Sequence, residues 1–150
     1  MINVIGLGYI GLPTALMLAS HGNEVVGTDC NPELVATLQA GRTTFKEKGL
    51  DDLFRRALDS GIQFTTDYQE TDTYIISVPT PYDKFSKKVD PGFVIAALRD
   101  VLDVCREGAI VVIESTVSPG TIDHHIRPLV RKNIQLVHAP ERIIPGNMVY

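Results

Sequence analysis

The segment Gly6-Leu-Gly8-Tyr-Ile-Gly11, set directly after the apolar run Ile2–Ile5 and before a helix-like stretch, constrains this chain more than any other. A short strand that enters Gly-x-Gly-x-x-Gly and leaves as a helix is the opening of a dinucleotide-binding βαβ unit. Each glycine has a separate physical task. Gly6 lets the chain turn sharply, Gly8 puts no side chain between backbone and pyrophosphate, and Gly11 lets the helix pack close to the strand. The diphosphate charge then faces free N–H groups and the positive end of the helix dipole.

The next segment, Glu24-Val-Val-Gly-Thr-Asp29, reads as a second strand ending in a carboxylate, 18 residues after Gly11. That spacing is close to the one at which an acid meets the adenosine ribose. A carboxylate there accepts hydrogen bonds from both ribose hydroxyls and repels a 2′-phosphate. Cys30 and Asn31 bring no positive charge to offset the repulsion, so the pattern predicts NAD rather than NADP. The alternative is that Asp29 simply ends a strand or forms a turn.

Composition fits a single soluble domain. The chain has 150 residues, 44% hydrophobic and 21% charged, with a net charge of −4. That is enough chain to bury a core, and the charge balance gives no reason to expect nucleic acid or a membrane surface as partner. No apolar stretch is long enough to cross a bilayer, and the N-terminus reads as a strand rather than a signal peptide. Cys30 and Cys105 stand in unrelated contexts, which favours a reduced, cytoplasmic protein without disulfides. The adjacent His124 and His125 point in different directions on a helix and lack matching ligands, so no metal site is expected.

Strand and helix patterns alternate along the chain. Strands are expected at Ile2–Ile5, Glu24–Asp29, Ile62–Thr65, Thr73–Val78, Ala109–Glu114 and Ile134–His138. Helices are expected at Tyr9–Ser20, from an Asn31 cap and Pro32 to a stop at Gly41, at Leu50–Ser60, from an Asp90 cap to Cys105, and at Thr121–Lys132 with a break near Pro128. Tyr82–Val89 reads as a charged loop. This order predicts an α/β fold of the Rossmann type: a doubly wound, mainly parallel sheet with helices on both faces. Ligands in such sheets bind beyond the carboxyl ends of the strands. The positions there are Gly6, Gly8, Tyr9, Ile10, Gly11, Asp29, Pro79, Thr80, Ser115 and Thr116, followed by Ala139–Glu141. They are taken as the cofactor-lined crevice.

Three segments of the second half narrow the class: Val78-Pro-Thr-Pro81, Glu114-Ser-Thr-Val-Ser-Pro-Gly-Thr121 and Ala139-Pro-Glu-Arg142. Together with the glycine loop, Asp29 and Glu47-Lys-Gly-Leu50, they occur in the order that resembles the nucleotide-sugar 6-dehydrogenases. These are the enzymes of UDP-glucose, GDP-mannose and UDP-N-acetylmannosamine. The run Pro140-Glu-Arg-Ile-Ile-Pro-Gly-Asn147 is most similar to the last branch. The resemblance implies oxidation of a sugar C6 hydroxyl to a carboxylate with two NAD, through a thiol-linked aldehyde. It places Thr80 along the cofactor, Thr116 near the nicotinamide and the reacting carbon, and Glu141 at the hydrolysis of the thioester. It brings Glu47 towards the cofactor, while Arg142 either meets the substrate or stays solvated. The alternative for Thr116 is a helix cap, and for Glu141 a surface acid paired with Arg142.

The family's nucleophilic cysteine and catalytic lysine lie downstream of the segments matched here, and neither Cys30 nor Cys105 has the right context. Residues 1–150 are therefore expected to be the NAD-binding domain of a longer, homodimeric enzyme whose linking helix and sugar-binding domain are absent from the chain. Such a piece would bind NAD without oxidising sugar. Two other readings start from the same glycine loop: a β-hydroxyacid dehydrogenase cofactor domain, and a non-catalytic NAD-sensing domain. The first usually carries Ser-Gly-Gly where this chain has Ser115-Thr-Val-Ser-Pro-Gly120, and the second has no need of the Pro-Thr-Pro turn.

Overall fold

The computed structural model describes residues 1–142. In chain order its strands are β1 (Ile2–Ile5), β2 (Val25–Thr28), β3 (Gln63–Thr65), β4 (Thr73–Ile76), a hairpin of β5 (Tyr82–Asp83) and β6 (Lys88–Val89), β7 (Ile110–Ile113) and β8 (Gln135–His138). Six of them form one sheet in the order β3-β2-β1-β4-β7-β8, and every pairing in it is parallel. The chain builds outward from β1 to β3, then crosses back to start the other half at β4. The reversal of strand order lies between β1 and β4, and a ligand crevice opens above such a switch point.

Helices α1 (Gly11–Ser20), α2 (Pro32–Gln39), α3 (Leu50–Asp59) and α4 (Gly92–Val104) follow from local chemistry and pleat alternation. Asn31 caps α2, its side chain accepting the N–H groups of Glu33 at 3.0 Å and Leu34 at 3.3 Å, and Pro32 supplies the first turn. Consecutive strand residues point to opposite faces. Val4 enters a core with Leu12, Leu16, Leu38 and Phe54, whereas Ile5 enters another with Tyr74, Leu98, Val101 and Ile113. Each fully buried aliphatic side chain contributes about 1.5–3 kcal/mol, so both faces of the sheet are firmly covered. Helices on both faces and a parallel sheet match the expected fold class.

Three local expectations need correction. Tyr82–Val89 is a small antiparallel hairpin, with Tyr82 opposite Val89 and Asp83 opposite Lys88. Its turn uses Lys87 at φ 54° and an Asp83 carboxylate that accepts the Phe85 N–H at 2.8 Å. Asp90 lies one residue before the cap of α4, and its Oδ1 takes the Gly92 N–H at 2.8 Å. Thr121–Lys132 is not a kinked α-helix. One π-helical turn, Ile122–Ile126, passes into one 3-10 turn, Arg127–Leu129. Pro128 has no N–H to continue an α-helical ladder, and its ring would collide with the carbonyl four residues back.

Candidate functional site

The glycine loop joins β1 to α1. Gly6 sits at φ 88°, and a Cβ there would stand 2.7 Å from the Ser77 carbonyl oxygen at the end of β4. A Cβ on Gly11 would lie 1.7 Å from the Gly6 carbonyl oxygen, which no side-chain adjustment relieves. Gly8 differs from both, because a Cβ there would meet nothing within 4 Å. Gly6 and Gly11 are thus needed to close the turn, while Gly8 borders open space. The first helical bond runs from the Leu12 N–H to the Gly8 carbonyl at 3.1 Å. The N–H groups of Tyr9, Ile10 and Gly11 therefore precede the ladder, where a helix offers donors to an anion. The Tyr9 ring is exposed and lies 4.5 Å, centroid to centroid, from Phe45 in the α2–α3 connection. Ile10 is half-buried at the start of the same helix.

Asp29 is locked to this loop. Its Oδ2 accepts the Leu7 N–H at 2.8 Å, and its Oδ1 accepts the Asn31 N–H at 2.9 Å. A carboxylate has about four acceptor directions, so each oxygen keeps capacity for a further donor. Beneath it, buried Asn3 of β1 donates to the Val26 carbonyl at 3.0 Å and to Thr28 Oγ1 at 2.8 Å, which fixes the end of β2. Asp29 is thus both the turn residue of its alternative reading and an acid held in a set orientation. Sequence reasoning missed Tyr68, which stands half-buried in the β3–β4 connection. Burial and the neighbouring negative charge of Asp100 push its phenol up to about 12.

On the other half, Thr116 is exposed just past β7, Thr80 is half-buried and Pro79 is exposed past β4, and Glu141 is half-buried past β8. The structure gathers these at the carboxyl ends of neighbouring strands, on the same side of the sheet as Asp29 and the glycine loop. Ser115 is turned inward, its hydroxyl donating to the Val78 carbonyl at 2.7 Å, so that it joins the ends of β7 and β4. Glu114, which sequence reasoning passed over, is a half-buried carboxylate. It accepts from Ser77 Oγ and, at 3.2 Å, from Thr14 Oγ1 on α1. Burial raises its pKa and nearby Glu141 adds to the rise, while the two hydroxyls oppose it. Among the described residues no group of three or more acids, cysteines and histidines could hold a metal ion, and no helix is long and apolar enough to cross a membrane. The run Ile143–Asn147, part of the branch-specific motif, lies outside the described residues.

A glycine turn closed by backbone contacts, donors at a helix start, open space at Gly8 and an oriented acid at the end of β2 define a dinucleotide-binding domain of the Rossmann type. The cradle fits NAD: the glycine that borders open space leaves room for a diphosphate, and the acid has capacity for further donors. The comparisons agree. Residues 1–150 match the UDP-glucose/GDP-mannose dehydrogenase family, NAD binding domain, and the chain belongs to that family. It is 41% identical to a UDP-N-acetyl-D-mannosamine dehydrogenase of Methanococcus maripaludis over 97% of its own length. It spans only 35% of that relative. The UDP-N-acetyl-mannosamine dehydrogenase of Staphylococcus aureus superposes with a TM-score of 0.92 at 36% identity, over 98% of this chain and 37% of that one. The GDP-mannose dehydrogenase of Pseudomonas aeruginosa, solved as a ternary complex, gives 0.91 at 28% identity, over 98% of this chain and 37% of that one.

Proposed function

We propose that this chain is the coenzyme-binding part of a UDP-sugar 6-dehydrogenase acting on UDP-N-acetylmannosamine, in a longer cytoplasmic polypeptide that works as a homodimer. Family membership and the M. maripaludis relative support the substrate class. The observation that carries the coenzyme assignment is the bond from Leu7 to Asp29, which makes glycine loop and acid one unit. In this reading the N–H groups of Tyr9, Ile10 and Gly11 hold the diphosphate. Asp29 accepts from the adenosine ribose hydroxyls and disfavours a 2′-phosphate. Pro79, Thr80, Ser115 and Thr116 shape the crevice past β4 and β7, with Thr116 next to the reacting carbon. Glu141 serves as the base that activates water when the oxidised product is released. Bound NAD supplies the hydride acceptor. The nucleophilic cysteine belongs to a later segment in the family, so sugar oxidation is assigned to the longer polypeptide and coenzyme binding to this one.

The test is a titration of this chain with NAD and NADP, repeated on Asp29→Ala. Wild type is expected to prefer NAD clearly. The substitution removes hydrogen bonds to a charged acceptor, about 1.5–3 kcal/mol, so NAD affinity should fall by about tenfold or more. Equal binding of NAD and NADP by wild type would refute the role given to Asp29.

A further inference from the structure

Glu114 is given no role by the coenzyme reading, yet three elements converge on it. It follows β7, where its N–H donates to the Ile76 carbonyl of β4 at 2.9 Å and its own carbonyl accepts the Glu141 N–H at 3.2 Å. Its side chain is held by Ser77, which follows β4, and by Thr14 in the first turn of α1. Ser77 in turn abuts the glycine loop, since its N–H donates to the Ile5 carbonyl at 2.8 Å and its Cβ lies 3.0 Å from where a Gly11 side chain would begin. Each carboxylate oxygen of Glu114 therefore faces one hydroxyl, the pattern an ionised acid accepts. Burial works against that ionised form. A neutral residue of similar shape would brace the same elements at lower cost, as removing a poorly solvated charge commonly does. What a neutral residue lacks is a negative charge.

Topology says where that charge acts. Asp29 claims the adenosine end of the dinucleotide on the β2 side, so the other end extends past the switch point, over β4 and β7. Glu114 stands at the junction of those two strand ends. We infer that Glu114 is a positioning and charge-bearing residue that makes this domain favour the cationic nicotinamide ring of NAD⁺ over the neutral ring of NADH. The inference rests on the coenzyme reading and adds a redox-state preference to it. In the longer polypeptide such a bias would favour uptake of oxidised coenzyme and release of reduced coenzyme between the two hydride transfers.

The experiment measures dissociation constants of this chain for NAD⁺, NADH and ADP-ribose, the last having no nicotinamide ring. A partly screened pair of opposite unit charges, worth on the order of 1 kcal/mol, predicts that wild type favours NAD⁺ over NADH by about threefold to tenfold. Glu114→Gln should bring that ratio close to one while leaving ADP-ribose affinity unchanged, and Glu114→Asp should keep the preference. If Glu114→Gln weakens all three ligands alike, Glu114 is only a brace and the inference is overturned. Equal wild-type affinity for NAD⁺ and NADH overturns it as well, a result that needs no variant to fold. Failure of the underlying reading has a different signature: Asp29→Ala would then leave all three affinities untouched.

Discussion

Two carboxylates mark the two halves of this sheet, and they are held in opposite ways. Asp29, past β2, accepts two backbone N–H groups, from Leu7 at 2.8 Å and Asn31 at 2.9 Å. Glu114, past β7, accepts two side-chain hydroxyls, from Ser77 and Thr14. Backbone donors are part of the fold and cannot rotate away, so Asp29 is presented outward with its remaining lone pairs in a set direction. Hydroxyl donors come from neighbouring elements, so Glu114 is drawn inward and ties those elements together. In the proposed reading the acid held by backbone donors is a ligand contact, whereas the acid held by side chains of neighbouring elements acts on the ligand through position and field.

The hardest test of this contrast falls on the loop that both halves share. Gly11→Ala would place a methyl group 1.7 Å from the Gly6 carbonyl oxygen. Either α1 moves away from β1 or the glycine turn opens, and both disturb Leu12 and Leu16 in the core. The expected loss is about 3 kcal/mol or more, read as a fall of about 10 °C in melting temperature for a chain of this size. A variant that melts like wild type would show that the Gly6–Gly11 contact does not hold the crevice together.

Gly8→Ala sharpens the comparison by separating binding from folding. A Cβ at Gly8 meets nothing within 4 Å, and its φ is not positive, so unfolding in urea should change by less than about 0.5 kcal/mol. In the proposed reading the same methyl group stands where the diphosphate approaches the backbone. NAD affinity is therefore expected to fall by about tenfold or more, the equivalent of one charge-assisted hydrogen bond. Calorimetric titration beside a melting curve checks both at once. Retained affinity would remove the phosphate from this loop.

The same contrast governs how much could be read from sequence. The main sheet was legible because each strand is a short apolar run with turn chemistry at its end, and β1, β4 and β8 begin or end within two residues of expectation. The Asn31 cap was legible because the Asn-Pro-Glu order has a local cause. Thr121–Lys132 was not, because Pro128 selects against an α-helix without saying which tighter or wider turn replaces it. The Tyr82–Val89 hairpin was missed because its turn, Lys84-Phe-Ser-Lys87, has no glycine, proline or asparagine to mark it and β-prone patterning spans only two residues a side. At the site, Asp29 announced itself through its distance from the glycine loop. Glu114 did not: its partners Thr14 and Ser77 are 100 and 37 residues away in the chain, and only the fold brings them together.

The smallest expected effect bears on the inward acid alone. Burial holds the Glu114 pKa above its ordinary value in the folded chain. Between the ordinary carboxylate range and that raised value the native state binds a proton that the unfolded chain has already released. Stability therefore falls as pH rises through that window, and the cost is fully present above the folded pKa. Glu114→Gln lacks the proton and the cost. Urea unfolding of both chains from mild acid to neutrality should give a difference, wild type minus variant, that declines with rising pH and then levels off. Most carboxylates that gain partners on folding contribute the opposite slope, so the sign alone identifies a desolvated acid. A flat difference would mean that Glu114 is hydrated like a surface residue, and the inward half of the comparison would lose its physical basis.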